Sequence, residues 1–241
     1  LDAAQKISIL ASLAFGRWIK PNEVYCEGIT DITPIDIEYA RELGYVIKLL
    51  ALARKTKEGE IDIRVHPALI TKNNRLARVD EELNAIFIQG IPFDEYFNVG
   101  KGAGQGPTAF SVYYDVIRIA EMIRTVTLRE IKFNENHIKI ADQNKISTEG
   151  YLRLYLRHVP GSFHSVVGVL ANHGWNLKDS IQRGGPKHEI IVDGVKCLPD
   201  IITHEPLLFG VIKNTLPDLV NIKIEKGNPV HGNPFYMRIQ N

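Results

Sequence analysis

The sequence predicts an α+β protein in two parts, and three observations carry that expectation. Apolar residues recur at helical spacing over Asp2–Phe15 and from Thr108 to about Arg124, with strand-type and short helix-type segments between them. Residues 126–148 are richer in Lys, Glu and Asn and lose that periodicity, which marks a linker. From Tyr151 onward the elements read β-α-β-β-α-β within about 90 residues, a self-contained layered unit. The expected division is therefore 1–125, a linker at 126–148, and 149–241.

Each element has a local reason. Ala3, Ile7, Leu10, Ala11 and Ala14 line one face of the first helix, and Gly16 ends it. Val24 to Ile29 is of strand type. Thr33-Pro34 with Asp36 opens a second helix that runs through Ile37, Ala40 and Leu43 to Gly44. Val46 to Ala53 and Ile61 to Val65 flank the polar turn Lys55 to Glu60 as a hairpin. His66-Pro67 is expected to break that strand, because proline cannot donate to a ladder, with an extended path resuming at Ala68 to Ile70. Asn84 to Gly90 is a strand, a glycine-rich loop follows, and Ala109, Val112, Tyr113, Val116, Ile117 and Ala120 share one side of the next helix. In the second part, Tyr151 to His158 alternates as a strand and Pro160-Gly161 turns into a helix stopped by Gly174. Trp175 to Gln182, Glu189 to Val192 and Leu198 to Thr203 are extended. Pro206 to Leu216 is predicted helical and Leu219 to Ile224 a final strand.

Composition narrows the function classes. The formal net charge is +1 and the basic residues are scattered, so the concentrated field that nucleic acid or an anionic membrane requires is absent. Cys26 and Cys197 are the only cysteines and lie far apart, which argues against a disulfide framework and against a zinc site built on cysteine spacing. A reducing, cytoplasmic setting fits that usage. No apolar run reaches the roughly 20 residues that span a bilayer. The eight histidines form no ligand cluster, so no transition metal is expected. The chain opens inside a helix with neither initiator Met nor cap, and is expected to be a fragment of a longer chain.

Four constellations carry candidate chemistry. Asp2 and Lys6 stand i, i+4 on one helix face. A solvated ion pair is the simplest reading, since such pairs are common and worth little. The functional one makes Lys6 a proton donor to a developing alkoxide and Asp2 a ligand for a substrate hydroxyl or ammonium. Gly100-Lys-Gly-Ala-Gly-Gln-Gly106 places four glycines in seven residues before a helix, more than one turn needs. Bare backbone N–H groups at a helix start suit an anionic ligand, yet no βαβ context for a dinucleotide fingerprint surrounds them. Lys101 can pair a phosphate or point to water. His66, in Arg64-Val-His-Pro-Ala-Leu-Ile70, reads as a buried structural histidine. In the second part, His158-Val-Pro-Gly161 joins a strand to a helix N-terminus where free N–H groups can hold a carboxylate, and Asn176, Ser180 and Gln182 are polar residues of the next strand. A plain β-α turn is the simpler reading of the first, and an exposed strand face explains the polar residues equally.

Taken together, Asp2-Ala-Ala-Gln-Lys6, Glu27-Gly-Ile29, Asp36-Ile37, Leu43-Gly44, Ile47-Lys-Leu-Leu-Ala51, Arg64-Val-His-Pro-Ala-Leu-Ile70, Asn84-Ala85 and Gly102-Ala-Gly104 with Pro107-Thr-Ala109 resemble a homoserine dehydrogenase that lacks its N-terminal nucleotide-binding domain. The later residues resemble an ACT regulatory domain through element order and Val159-Pro-Gly161. The resemblance implies a mixed-sheet substrate-binding and dimerisation domain followed by a ferredoxin-like unit. It also implies reduction of L-aspartate 4-semialdehyde to L-homoserine with NAD(P), toward threonine, methionine and isoleucine.

On that footing Lys6 is catalytic, Asp2 binds substrate, and Gly100, Gly102, Ala103 and Gly104 approach the nicotinamide end of a cofactor held mainly by a domain outside this chain. Val159, Pro160, Gly161, Asn176 and Gln182 would bind a threonine effector, and the assembly would be a homodimer. Lys101 replaces a frequent proline, and His158 replaces the acid common at the start of the ACT turn. The alternative is a non-catalytic amino-acid-binding or dimerisation module.

Overall fold

Helical spacing at the start of the chain becomes α1 (Asp2–Phe15), which carries Asp2 in its first turn, where a carboxylate complements the helix dipole, and ends on left-handed Gly16 at φ 67°. The computed structural model describes residues 1–125, 132–133, 138–146, 148–156, 161–172, 174, 176–177, 180–181, 190–192, 195–197, 205–212 and 230–240. Ala4 and Ala11 pack on the sheet together with Ile19 and Val24, small side chains that let the helix lie close. Ser12 Oγ donates to Ser8 O at 2.6 Å and accepts from Ile19 N at 2.9 Å, so the chain leaving the helix is tied back to it. α2 (Pro34–Glu42) starts where Thr33 and Asp36 predict, with Asp36 Oδ2 accepting from Thr33 N at 2.8 Å and from Thr33 Oγ1 at 2.6 Å. Gly44, at φ 83°, follows it as the turn into the next strand.

The strands β1 (Tyr25–Cys26), β2 (Tyr45–Lys55), β3 (Ile61–Thr71), β6 (Gly150–Leu156), β7 (Asn176–Leu177), β10 (Glu205–Ile212) and β11 (Val230–Gln240) form one sheet. β4 (Leu83–Gly90) pairs with β5 (Asp94–Lys101) as a separate hairpin, and β8 (Ile190–Val192) with β9 (Val195–Cys197) as another. The large sheet runs β1-β3-β11-β6-β10-β7, with β2 along the opposite edge of β3. Two further α-helices are α3 (Gln105–Thr125) and α4 (Ser162–Asn172), and short 3-10 turns lie at Pro21–Glu23, Arg75–Arg78 and Gln143–Lys145.

β3 is the axis of this arrangement. It pairs antiparallel with β2 over its whole length, Ile61 with Lys55 through Thr71 with Tyr45. Its other edge is shared end to end. Ile61 bridges Ile140, Arg64 and Val65 pair parallel with β1, and Ala68 to Ile70 pair parallel with β11. The strand therefore does not break at His66-Pro67. Val65 O accepts from Glu27 N at 2.8 Å, so the peptide groups of the odd-numbered residues face away from β2, and Pro67 falls in the gap between β1 and β11, where no donor is required.

Ile61, Ile63 and Val65 pack under α1, and Leu69 joins Tyr39, Ala40, Tyr151 and Met237 near α2. Asp62, Arg64 and His66 alternate with them and are equally buried. Asp62 takes Arg54 Nε at 2.9 Å, Arg64 Nη2 at 3.3 Å and Gln143 Nε2 at 3.3 Å, and His66 Nδ1 lies 2.9 Å from Pro67 O, the structural role its sequence context indicated.

Three other expectations change. Asp94–Lys101 is a strand, so Gly100 and Lys101 end a hairpin rather than open a loop. α3 begins at Gln105, not Thr108, because Pro107 in a first turn lacks only a donor that would go unused. Pro206 to Ile212 is not helical but lies in β10, paired with β6 on one side and β7 on the other. Its continuous apolar run fits a two-sided strand as well as a helix, and periodicity alone does not separate them. The strand expected from Trp175 to Gln182 is described only at Asn176–Leu177, and those expected at 198–203 and 219–224 lie outside the described residues.

A buried polar knot joins the first and last parts of the chain. Asp36 is fully buried, and its Oδ1 accepts from the Tyr151 hydroxyl and lies 3.3 Å from Arg153 Nε, while Arg153 Nη1 donates to Thr33 Oγ1 at 2.8 Å. Burial, reinforced by the adjacent Asp36 carboxylate, pushes the Tyr151 phenol far above the usual phenol range. A raised folded-state value means that this contribution to stability is present below the unfolded phenol value of about 10 and declines at higher pH, where only the unfolded chain ionises. Tyr151→Phe is expected to lower unfolding stability in urea by about 1–3 kcal/mol at neutral pH. It should also lessen the loss of stability above pH of about 10, measured by the same titration at a series of pH values.

Candidate functional site

The site elements stand on two supports. Lys6 and Asp2 sit in the first turns of α1, on its exposed side, Nζ to Oδ2 at 2.8 Å, with side chains 64% and 77% exposed. The i, i+4 geometry that the sequence predicted brings them together, and their exposure leaves both accessible to a ligand. A screened pair of this kind contributes little to stability, so the packing of α1 rests on its buried alanines and serines.

The glycine segment is built on the hairpin. Gly100 pairs with Asn84 at the end of β5, and Gly102 N donates to Glu82 O at 3.2 Å. A Cβ at Gly102 would fall onto the exposed Asn84 carboxamide, so a larger residue there would have to push that side chain aside. Gly104 has φ 113°, which turns the chain into α3, and its carbonyl accepts from Thr108 N at 3.1 Å. The glycines at 100 and 106 face open space. Lys101 is engaged by Glu82 at 2.9 Å, and that hydrogen bond is the main cause holding the Glu82 carboxyl below its ordinary value. The loop's cation is thus paired within the protein. An open groove of about 750 Å³ runs from Gly104 and Gln105 along Thr108, Ala109, Val112, Tyr113 and Val116 of α3.

α3 itself has no buried residue. Phe110, Val112, Tyr113, Tyr114, Val116, Ile117, Ile119 and Ile123 are each between 41% and 67% exposed. The hairpin beside the glycine segment adds exposed Ile86, Ile88, Tyr96 and Val99. An apolar display of this extent marks a surface made for covering.

Elsewhere, Gly161 precedes α4 at φ 89°, its carbonyl accepting from Ser165 N at 2.9 Å and Ser165 Oγ at 3.1 Å, and Asn176 pairs with Ile212 in β7. Val159, Pro160, Gln182 and His158 lie outside the described residues. Glu27 follows β1, with its Oε2 3.5 Å from the Tyr25 hydroxyl. No group of three or more His, Cys, Asp or Glu able to hold a metal occurs among the described residues, and none of the described helices is long and apolar enough to cross a membrane. The polar knot of Thr33, Asp36, Tyr151 and Arg153 escaped sequence reasoning. Thr33 and Asp36 were legible as a helix start, but nothing local announced their partners more than 110 residues away.

Comparison with known proteins identifies the class: residues 1–117 match the family model of homoserine dehydrogenase, a family of oxidoreductases. That region, just under half of the chain, is where its likeness to the homoserine dehydrogenase family lies. It is 37% identical over 193 residues to the homoserine dehydrogenase of Synechocystis, covering 76% of this chain and 45% of that protein. It is 35% identical over 209 residues to that of Neisseria gonorrhoeae, covering 84% and 46%. The chain thus spans about half the length of the curated relatives it matches. The crystal structure of a homoserine dehydrogenase from Thiobacillus denitrificans superposes with a TM-score of 0.81 at 28% identity, covering all of this chain and 53% of the other.

Gly102→Ala displaces the exposed Asn84 side chain and is expected to destabilise the protein by no more than about 1 kcal/mol, and Asn84→Ala in the same chain should remove that loss. Thermal unfolding of the two single variants and the double variant measures the coupling.

Proposed function

We propose that these 241 residues supply the substrate side of a homoserine dehydrogenase, reducing L-aspartate 4-semialdehyde to L-homoserine in the biosynthesis of threonine, methionine and isoleucine. The observation that carries this reading is the accessible Lys6–Asp2 pair on α1, within the region that matches the family. Lys6 carries the proton that the substrate oxygen needs once carbon is reduced, and its ammonium offsets the negative charge developing there. Asp2, one turn earlier, orients the substrate through a hydroxyl or ammonium group and holds the Lys6 ammonium in place.

The reduction needs a nicotinamide cofactor, NAD or NADP, which when bound supplies hydride at its C4. The residues present fit one side of such a group. Gly102, Ala103 and Gly104 form an exposed segment whose backbone a planar ring can approach, and Gly100 leaves the space beside it open. They do not fit the whole of it, since the described residues contain no βαβ dinucleotide unit and Lys101 is held by Glu82. The domain that holds the nucleotide lies outside these residues. It would cover the apolar surface of α3 and the β4–β5 hairpin, closing the glycine segment onto the cofactor.

Residues 149–241 form the regulatory part of this proposal, with a threonine effector near Val159, Pro160, Gly161, Asn176 and Gln182. The order β11-β6-β10-β7, with α4 between β6 and β7, supports a ferredoxin-like arrangement. A homodimer is proposed with it, supported by the edge strand β2, which among the described residues pairs with β3 alone and exposes Leu49. On its own the chain should show no dehydrogenase turnover. Joined to a nucleotide-binding domain, it should lose about 10²–10⁴-fold in kcat on Lys6→Ala, whereas Asp2→Asn should act mainly on KM for the aldehyde. Steady-state assays following NAD(P)H absorbance test each outcome, and full activity of Lys6→Ala would remove the proposed role.

A further inference from the structure

We propose that Tyr151 and Arg153 form a clasp that sets the position of the turn between β1 and α2, residues 27–33, so that the C-terminal unit acts on the substrate domain within a single chain. The regulatory meaning of this clasp rests on the amino-acid-binding role proposed for residues 149–241, but its geometry does not. Asp36 divides its carboxylate between the two parts of the chain. Oδ2 takes the backbone N–H and hydroxyl of Thr33, and Oδ1 takes the Tyr151 hydroxyl and faces the Arg153 guanidinium. Arg153 closes the circuit by donating to Thr33 Oγ1 at 2.8 Å. Two side chains of β6 therefore grip both residues that start α2.

What lies just before that grip is an exposed turn. Gly28, Ile29, Thr30 and Asp31 are exposed, and the turn is held by Glu27 N to Val65 O at 2.8 Å at its start, by Ile32 N to Ile29 O at 3.2 Å within it, and by the clasp at its end. The other end of the linkage is stiff. β6 is paired on both edges, with β10 and β11, and β11 pairs in parallel with β3 at Ala68 to Ile70. Motion of β6 therefore displaces either the sheet or the start of α2. The same pairing consumes the edge that β11 would offer to another copy of the C-terminal unit, so this route of communication runs inside the chain. Burying an arginine, a carboxylate and a phenol at a contact where apolar side chains would pack as well carries a large desolvation cost, and such groups are best attested as devices that fix one register.

The test is amide hydrogen exchange on the whole 241-residue chain, which needs neither catalysis nor effector, so its failure is distinct from a failed dehydrogenase assay. Tyr151→Phe and Arg153→Met should each accelerate exchange across residues 27–37 by about tenfold or more while α1 amides keep their wild-type rates. Arg153→Lys, which retains the charge, should fall between wild type and Arg153→Met. Leu170→Ala in α4, used where it lowers the melting temperature by a matching amount, should leave residues 27–37 at wild-type rates. Should Arg153→Met fail to fold, Tyr151→Phe and Arg153→Lys carry the test on the same segment. Unchanged exchange at 27–37 in the clasp variants, or equal acceleration in Leu170→Ala, overturns the proposal.

Discussion

The buried pairing of β3 is the constraint on which the remaining structure depends. Ten consecutive residues, Ile61 to Ile70, are withdrawn from solvent, yet the strand contains an aspartate, an arginine, a histidine and a proline. Each is admitted by a specific solution. Asp62 gathers Arg54, Arg64 and Gln143, His66 turns Nδ1 to a backbone carbonyl, and Pro67 occupies the one stretch of edge between β1 and β11. A strand able to bury those groups can serve as the common partner of three chain segments far apart in sequence. α1 needs it as a floor, since its fully buried residues are alanines and serines, flanked by half-buried Ile7 and Phe15, that pack against the strand.

That hub also explains how the chain is joined across the segment expected to be a linker. Ile138 and Ile140 pack beside α1, Ile140 bridges Ile61, and the last strand returns to lie along β3. The sheet is continuous from β2 to β7, and the polar knot around Asp36 adds a second attachment. In contrast, the hairpin β4–β5 and α3 stand apart from the core. A helix of 21 residues with no buried side chain is not stabilised by tertiary packing, which is where most helical stability originates. Its apolar surface agrees with a protein whose relatives are about twice its length.

Much of the local structure was legible. The starts of α1 and α2, the glycine turn before α3 and the i, i+4 pairing of Asp2 with Lys6 follow from contacts among residues a few positions apart. Errors gathered where the decisive partner was distant. β5 was hidden because Asp94 to Lys101 mixes polar and aromatic residues and becomes a strand only through its register with β4. β10 read as a helix because an apolar run does not declare its period, and its two strand partners decide the matter. Proline appeared to end β3 because sequence alone does not show which edge of a strand will be unpaired at a given residue.

The sequence by itself determined the family-matching motifs, the helix starts and the placement of an ammonium and a carboxylate on one helical face, because each depends on residues a turn or two apart. Tertiary structure alone decided that Lys101 is held by Glu82, that Tyr151 and Arg153 close on Asp36, and that the chain's last strand completes the edge of β3. Those outcomes are set by burial and by hydrogen-bond groups that must find partners once water is excluded. Which partner each group finds is fixed only when the whole sheet has closed.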